Sequence, residues 1–138
     1  MAMKLGKDEH RLLALWAADC AEHVLAQFEG KRPGDVRARD AVVATRAWAR
    51  GELPLALARK TTFSAHEAAR DAINPAARAA ARAAGHAAAA THVASHALHA
   101  ANYAVDAAEA GGIDPDAERA WQDEQLPDAL RAILYPED

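Results

Sequence analysis

From Pro75 to Ala110 the chain is dominated by alanine, with Asn74-Pro75 before this tract and Gly111-Gly112 after it. Alanine is the strongest helix former, and the segment lacks the apolar/polar alternation of a half-buried strand, so it predicts helix. Asn74 with a proline in the first turn marks its start, and the glycine pair marks its end. Unbroken, such a helix extends about 54 Å at roughly 1.5 Å per residue, with Gly85 as the weak point inside it. Leu98, Tyr103 and Val105 give the tract apolar anchors that a disordered low-complexity segment lacks.

On a helical wheel of about 100° per residue, Arg78, Arg82, His86, His92, His96, His99 and Tyr103 fall within one arc of roughly 140°. Ala83, Ala87, Ala90, Ala94, Leu98, Ala101 and Val105 take the opposite side. The alanine face can approach neighbouring helices, or a second copy of the chain, closely. The Arg/His face must be solvated, paired with acids or used. Its cations would repel if all were charged together, so neutral imidazoles or acidic neighbours are implied.

Helix punctuation continues on both sides of the tract. Leu13, Ala17, Ala21, Val24 and Phe28 recur at helical spacing from about Asp8 to Glu29, and Gly30 with Pro33-Gly34 closes that helix. Asp35 caps a second helix to about Arg50, whose stripe reads Val36, Asp40, Val43, Ala44, Ala47 and Trp48. Pro54 opens a third that reaches about Ile73 in one piece. Asp114-Pro115 starts a last stretch to about Leu134, kinked or restarted at Pro127. The expected architecture is all-α: one domain over residues 1–138, a bundle of about five helices with a long central Ala-rich helix. With 40 alanines and 7 aromatic residues, its core must be built of small groups plus a few anchors, for which Trp16, Phe28, Trp48, Phe63 and Trp121 are the candidates.

Several function classes drop out. The single cysteine, Cys20, excludes an intramolecular disulfide and a CxxC zinc site, which fits a reducing cytoplasm. No basic-then-apolar leader opens the chain and no apolar run nears the roughly 20 residues needed to span a bilayer, so a soluble cytoplasmic protein without membrane partners is expected. Charge is uneven: residues 1–105 carry 14 Lys+Arg against 10 Asp+Glu, whereas residues 106–138 carry 2 against 10. An acidic C-terminal quarter without a basic stripe argues against nucleic acid, which needs clustered cations, and suits a basic protein partner. No Gly-rich phosphate loop occurs. The arginines Arg37, Arg39, Arg46 and Arg50 read as a solvated basic face rather than an anion site.

For metal chemistry, His92-x-x-x-His96 places two imidazoles one helical turn apart, close enough to chelate one divalent ion. His99 lies about 10 Å along the axis from His92, so further ligands must come from another helix. Asp19-x-x-x-His23 on the first helix has the same spacing, and the four side chains together would make a metal site between helices. The di-iron E-x-x-H and zincin H-E-x-x-H elements are both absent, and an ordinary hydrogen-bonded histidine network explains the same residues. Cys20 beside His23 reads as a small core residue rather than a nucleophile.

Four segments, taken in order, carry a resemblance: Leu15-Trp-Ala-Ala-Asp-Cys-Ala-Glu-His23, Arg46-Ala-Trp-Ala-Arg-Gly-Glu52, Ala84-Gly-His86 with Thr91-His-Val-Ala-Ser-His-Ala97, and Glu118-Arg-Ala-Trp-Gln122 followed by Leu126-Pro127 and Leu130-Arg131. With them the chain resembles the Imm-5-like putative immunity protein family of bacteria. The resemblance implies a cytoplasmic helical protein that protects its producer by binding a cognate toxin. It marks Trp16, Asp19, His23, Trp48, His86, His92 and His96 as site residues, to which the wheel adds Arg78, Arg82 and Tyr103, and it carries no catalytic role. The alternative reading is a bundle binding a divalent metal or small ligand, a metalloenzyme included, through the His/Asp site between the first and the long helix.

Overall fold

Folding back of the alanine tract organises the molecule. The computed structural model describes residues 5–135. Among the described residues it has eight helices and no strand: α1 (Lys7–His23), α2 (Leu25–Glu29), α3 (Arg37–Ala49), α4 (Leu55–Asp71), α5 (Pro75–Ala89), α6 (His96–Ala110), α7 (Pro115–Gln125) and α8 (Asp128–Leu134). The all-α expectation holds, and α4 is one continuous helix as predicted. The count of five helices and the unbroken central helix do not hold.

The tract breaks at Ala90–Ser95, not at Gly85. Thr91 Oγ1 donates to the Ala88 carbonyl (2.6 Å), and a run of tight turns replaces regular helical bonds, with the Thr91 and His92 amides donating to the Ala88 and Ala89 carbonyls. Thr, Val and Ser in this short stretch offer the backbone such local alternatives, whereas alanine offers none. Size supplies the tertiary reason. A chain of this length packs to a radius of gyration of about 14 Å, so a helix of about 54 Å would leave most of its alanine face in water. Two shorter helices laid antiparallel bury that face against each other.

α5 lies in the middle, packed against α1, α2, α3, α4 and α6. Ala76, Ala77, Ala80, Ala81, Ala83, Ala84, Gly85, Ala87 and Ala88 are all buried, so this helix is apolar nearly all round, as a core helix is. Asn74 caps it by accepting from the Ala77 amide (3.0 Å), with Pro75 in the first turn.

Other elements shift from expectation. The helix predicted from Asp8 to Glu29 is interrupted at the β-branched Val24, whose amide bends to the Ala21 carbonyl (3.3 Å). α3 turns Ala38, Ala41, Val42, Thr45 and Ala49 inward and leaves Val36, Asp40 and Val43 exposed, because an interface this close to α5 admits the smaller side chains. Phe63 is not a core anchor, being 62% exposed, since α4 likewise buries its alanines. Trp16 and Phe28 are core anchors, joined by Leu13, Leu25 and Leu130. Trp48 and Trp121 are half-buried. No helix among the described residues is long and apolar enough to cross a membrane.

Candidate functional site

Three of the sequence segments singled out above converge on the C-terminal end of α1. His23 Nδ1 lies 2.7 Å from Glu118 Oε2 on α7, and Glu118 is 3% exposed. A carboxylate only accepts, so the His23 proton on this edge sits on Nδ1, which fixes the ring's orientation. The other face of the arrangement is aromatic: the His23 ring lies parallel to the Trp121 indole, centroids 3.5 Å apart and planes 4° off parallel. Asp19, Glu22, His23, Trp121 and Gln125 line a cavity of about 470 Å³ here. Arg46, from α3, closes one side by donating to Asp19 Oδ1 (2.8 Å) and Glu22 Oε1 (3.0 Å). Its hydrogen bond holds the Glu22 carboxyl below the usual range.

α7 is fixed against this cleft by a polar tether. Trp16 Nε1–H donates to the Gln122 carbonyl (2.8 Å), and the buried Gln122 side chain donates to the Ala101 carbonyl of α6 (2.8 Å). Arg119 donates to Gln122 Oε1 (2.8 Å) and Asn102 Oδ1 (2.6 Å). Trp16 Nε1 and both polar atoms of the Gln122 side chain are therefore partnered, and a buried network of this kind sets a unique register. Cys20 is fully buried beneath it; burial, reinforced by the Asp19 and Glu118 charges, pushes its thiol far above the ordinary range, so it is packing rather than a nucleophile.

Four other histidines, His66, His86, His96 and His99, assemble elsewhere, and the fold-back brings His86 to His96 and His99. His86 on α5 and His96 at the start of α6 face each other with Nδ1 atoms 3.0 Å apart, so the two rings share one proton in opposite tautomers. The His86 ring also has His66 of α4 (centroids 4.9 Å), His99 (5.3 Å) and Tyr103 (5.1 Å, stacked) around it. The Arg82 guanidinium sits 5.9 Å from the Tyr103 centroid, within cation–π range. Gly85 makes room for His66: a Cβ at that position would stand 2.6 Å from the His66 ring. Burial first, then the neighbouring His66, His96, His99 and Arg82, lower the His86 pKa to about 4. His66 and His96 are lowered for the same first reason. Of the two arrangements the sequence allowed, acid pairing or neutral imidazoles, the cluster takes the neutral one.

A third feature adjoins the cluster. Arg59, Thr62, Phe63, Ala89, His92 and His96 line a cavity of about 200 Å³. The Thr62 hydroxyl is the one buried side-chain polar atom without a hydrogen-bond partner among the described residues, a deficit worth about 1–3 kcal/mol.

The predicted site residues thus divide. Trp16, Asp19 and His23 belong to the α1–α7 cleft; Arg82, His86, His96 and Tyr103 belong to the imidazole cluster; His92 and His96 reach the smaller cavity. Trp48 packs against His10 (ring centroids 5.1 Å), whose Nε2–H donates to the Ala90 carbonyl (2.6 Å) and ties the tight turn to α1. Arg78 donates to the Ala72 carbonyl at the end of α4 (3.1 Å). Asp19 and His23 do not pair with each other; each has a partner from another helix. Among the described residues no group of three or more His, Cys, Asp or Glu side chains is arranged to hold a metal ion. The arginines on and just after α3 stay at the surface but are paired with acids: Arg37 with Asp35 and Asp71, Arg39 with Glu29, Arg46 with Asp19 and Glu22, and Arg50 with Glu52. Arg37 holds the Asp35 carboxyl at about 2.

Sequence reasoning left several residues out of the site, among them Glu22, Trp121 and Gln125 of the cleft, His99 of the cluster and, most consequentially, Glu118 and His66. Glu118 opens the segment Glu118-Arg-Ala-Trp-Gln122, and its place three residues before Trp121 puts both on one face of α7, a signal that was available. His66 had none, because only the packing of α4 against Gly85 brings it in.

Comparison with known proteins adds to this geometry. No curated protein and no solved structure matches the chain. The family model described as Imm-5 like putative immunity protein matches residues 3–129, which spans the cleft, the imidazole cluster and the tether between them. The chain belongs to the Imm-5 like putative immunity protein family.

Proposed function

We propose that this protein neutralises a cognate toxin by binding it directly, and that the toxin's basic face docks on the acidic surface formed by the end of α6, α7 and the start of α8. Membership of an immunity protein family supports the general role. The observation that carries the docking surface is a contrast in ion pairing. From Asp8 to Glu52 five acids, Asp19, Glu22, Glu29, Asp35 and Glu52, are taken up by arginines, against three, Asp8, Glu9 and Asp40, that are not among the described residues. Asp106, Glu109, Asp114, Asp116 and Glu124 are exposed and, among the described residues, have no cation partner.

Unneutralised carboxylates on one side of a protein steer a basic partner and reject like-charged ones. The His23–Trp121 stack, beside the cleft, supplies the kind of rigid amphipathic surface that anchors interfaces. The test is calorimetric titration with the product of a neighbouring toxin gene at low and high salt. Binding that weakens with salt, and that falls at least about tenfold in Asp116→Lys with Glu124→Lys, is the expected result. No binding, or equal binding by the charge-reversed variant, would overturn the docking surface.

A further inference from the structure

We propose a second, separate binding site: the cavity between α4 and the α5–α6 turn takes a small oxyanion carried on an apolar group. It shares no residue with the acidic surface. Arg59, Thr62, His92 and His96 supply the polar lining, and no carboxylate is among the lining residues. Arg59 makes no ion pair and the His92 ring no hydrogen bond among the described residues. Thr62 is nine-tenths buried, and its hydroxyl is the one unpartnered buried side-chain polar atom among them. A guanidinium, a hydroxyl and two imidazole edges around one small space, with no carboxylate, can all turn donors towards an oxyanion, whereas a metal cation would face the charge of Arg59.

The rest of the lining is apolar. Phe63 is 62% exposed although large and aromatic, and it stands with Ala89 at this cavity. A space of about 200 Å³ equals roughly six or seven waters at about 30 Å³ each, enough for a carboxylate on a ring-sized group and too little for a polymer segment. The cations that act on the neighbouring His66 and His86 are Arg70 on α4 and Arg82 on α5, while those two rings are themselves held neutral; the exposed Glu67 is the acid on the adjoining turn of α4.

The experiment uses benzoate as a carboxylate on an apolar ring and inorganic phosphate as an oxyanion alone, each titrated into the full-length protein while the histidine ring resonances are followed by NMR. Expected are saturable shifts of the His92 and His96 rings, with benzoate the tighter ligand if both parts of the cavity contribute; saturation by phosphate alone would still support the oxyanion site and drop the apolar part. Arg59→Gln, at an exposed position, should weaken binding at least about fivefold, and Thr62→Val should weaken it by about threefold with the melting temperature of the free protein equal to or above that of the wild type. Absence of saturable shifts at both rings with either probe, or affinities unchanged in both variants, would overturn the proposal.

Discussion

His23 and His86 are the same side chain in opposite surroundings. His23 is held by a buried carboxylate and stacked on an indole, at the mouth of a cleft that α1 and α7 form together. His86 has only other rings and arginine around it, and its charged form is disfavoured until about pH 4. A histidine's surroundings here are set by the helix that packs against it rather than by its own helix. α7 brings an acid to His23; α4 and α6 bring imidazoles to His86. The first is oriented for contact with something outside, whereas the second is a neutral cluster that joins three helices.

The Glu118 carboxylate is what separates the two surroundings. Glu118→Ala removes the buried partner of His23 and leaves a gap under Trp121, and it should lower stability by about 2–3 kcal/mol in denaturant unfolding. It should also release the indole from its stacked position, seen as a change in Trp fluorescence. If Glu118→Ala unfolds at the wild-type midpoint, the carboxylate does not organise the cleft.

The imidazole cluster gives the next effect through pH. A base whose folded pKa is lowered leaves the unfolded chain binding more protons over the interval between the two values. For His86 that interval runs from about 6.5 down to about 4, so stability present at neutral pH is lost as pH falls through it. The melting temperature should drop by about 5 °C between pH 7.5 and pH 5. His86→Phe keeps a ring in the stack and removes its titrating nitrogens, and should flatten that slope. An unchanged slope would mean that His86 is not a source of the dependence.

The smallest effect sharpens the contact between α4 and α5. Gly85→Ala improves helix propensity by about 1 kcal/mol, yet its Cβ would meet the His66 ring. The two contributions should nearly cancel, with a net loss of about 1 kcal/mol or less. The His66 ring should leave the cluster, which its NMR titration would report as a move towards an ordinary imidazole value. A stabilised variant with His66 unmoved would show that the close approach is not what selects glycine.

Much of the fold was legible because its signals are local. Asn74-Pro75, Gly111-Gly112 and Asp114-Pro115 bound helices where they were expected to, and α4 runs unbroken because nothing in Leu55–Asp71 competes with the helix. The division of the alanine tract was not legible, since Thr91, Val93 and Ser95 only weaken the helix there without a glycine or proline to stop it, and the gain from doubling back is realised only when both faces are buried. The same limit applies to the cleft and the cluster. The resemblance put Trp16, Asp19 and His23 in one segment, and the wheel put Arg82, His86, His96 and Tyr103 in one row. Neither could show that Glu118 meets His23 across 95 residues or that His66 enters from another helix.

By itself the sequence determined that this protein is helical, that its core is built of small side chains, that its acid is concentrated in the last quarter, and to which family it belongs. Propensity, composition and net charge are sums over residues, so they are fixed before any contact forms. Only the tertiary structure decided which histidines meet, which acids are neutralised and where the chain turns back. Those outcomes depend on distances between residues far apart in the chain, and here close packing of alanine faces sets those distances.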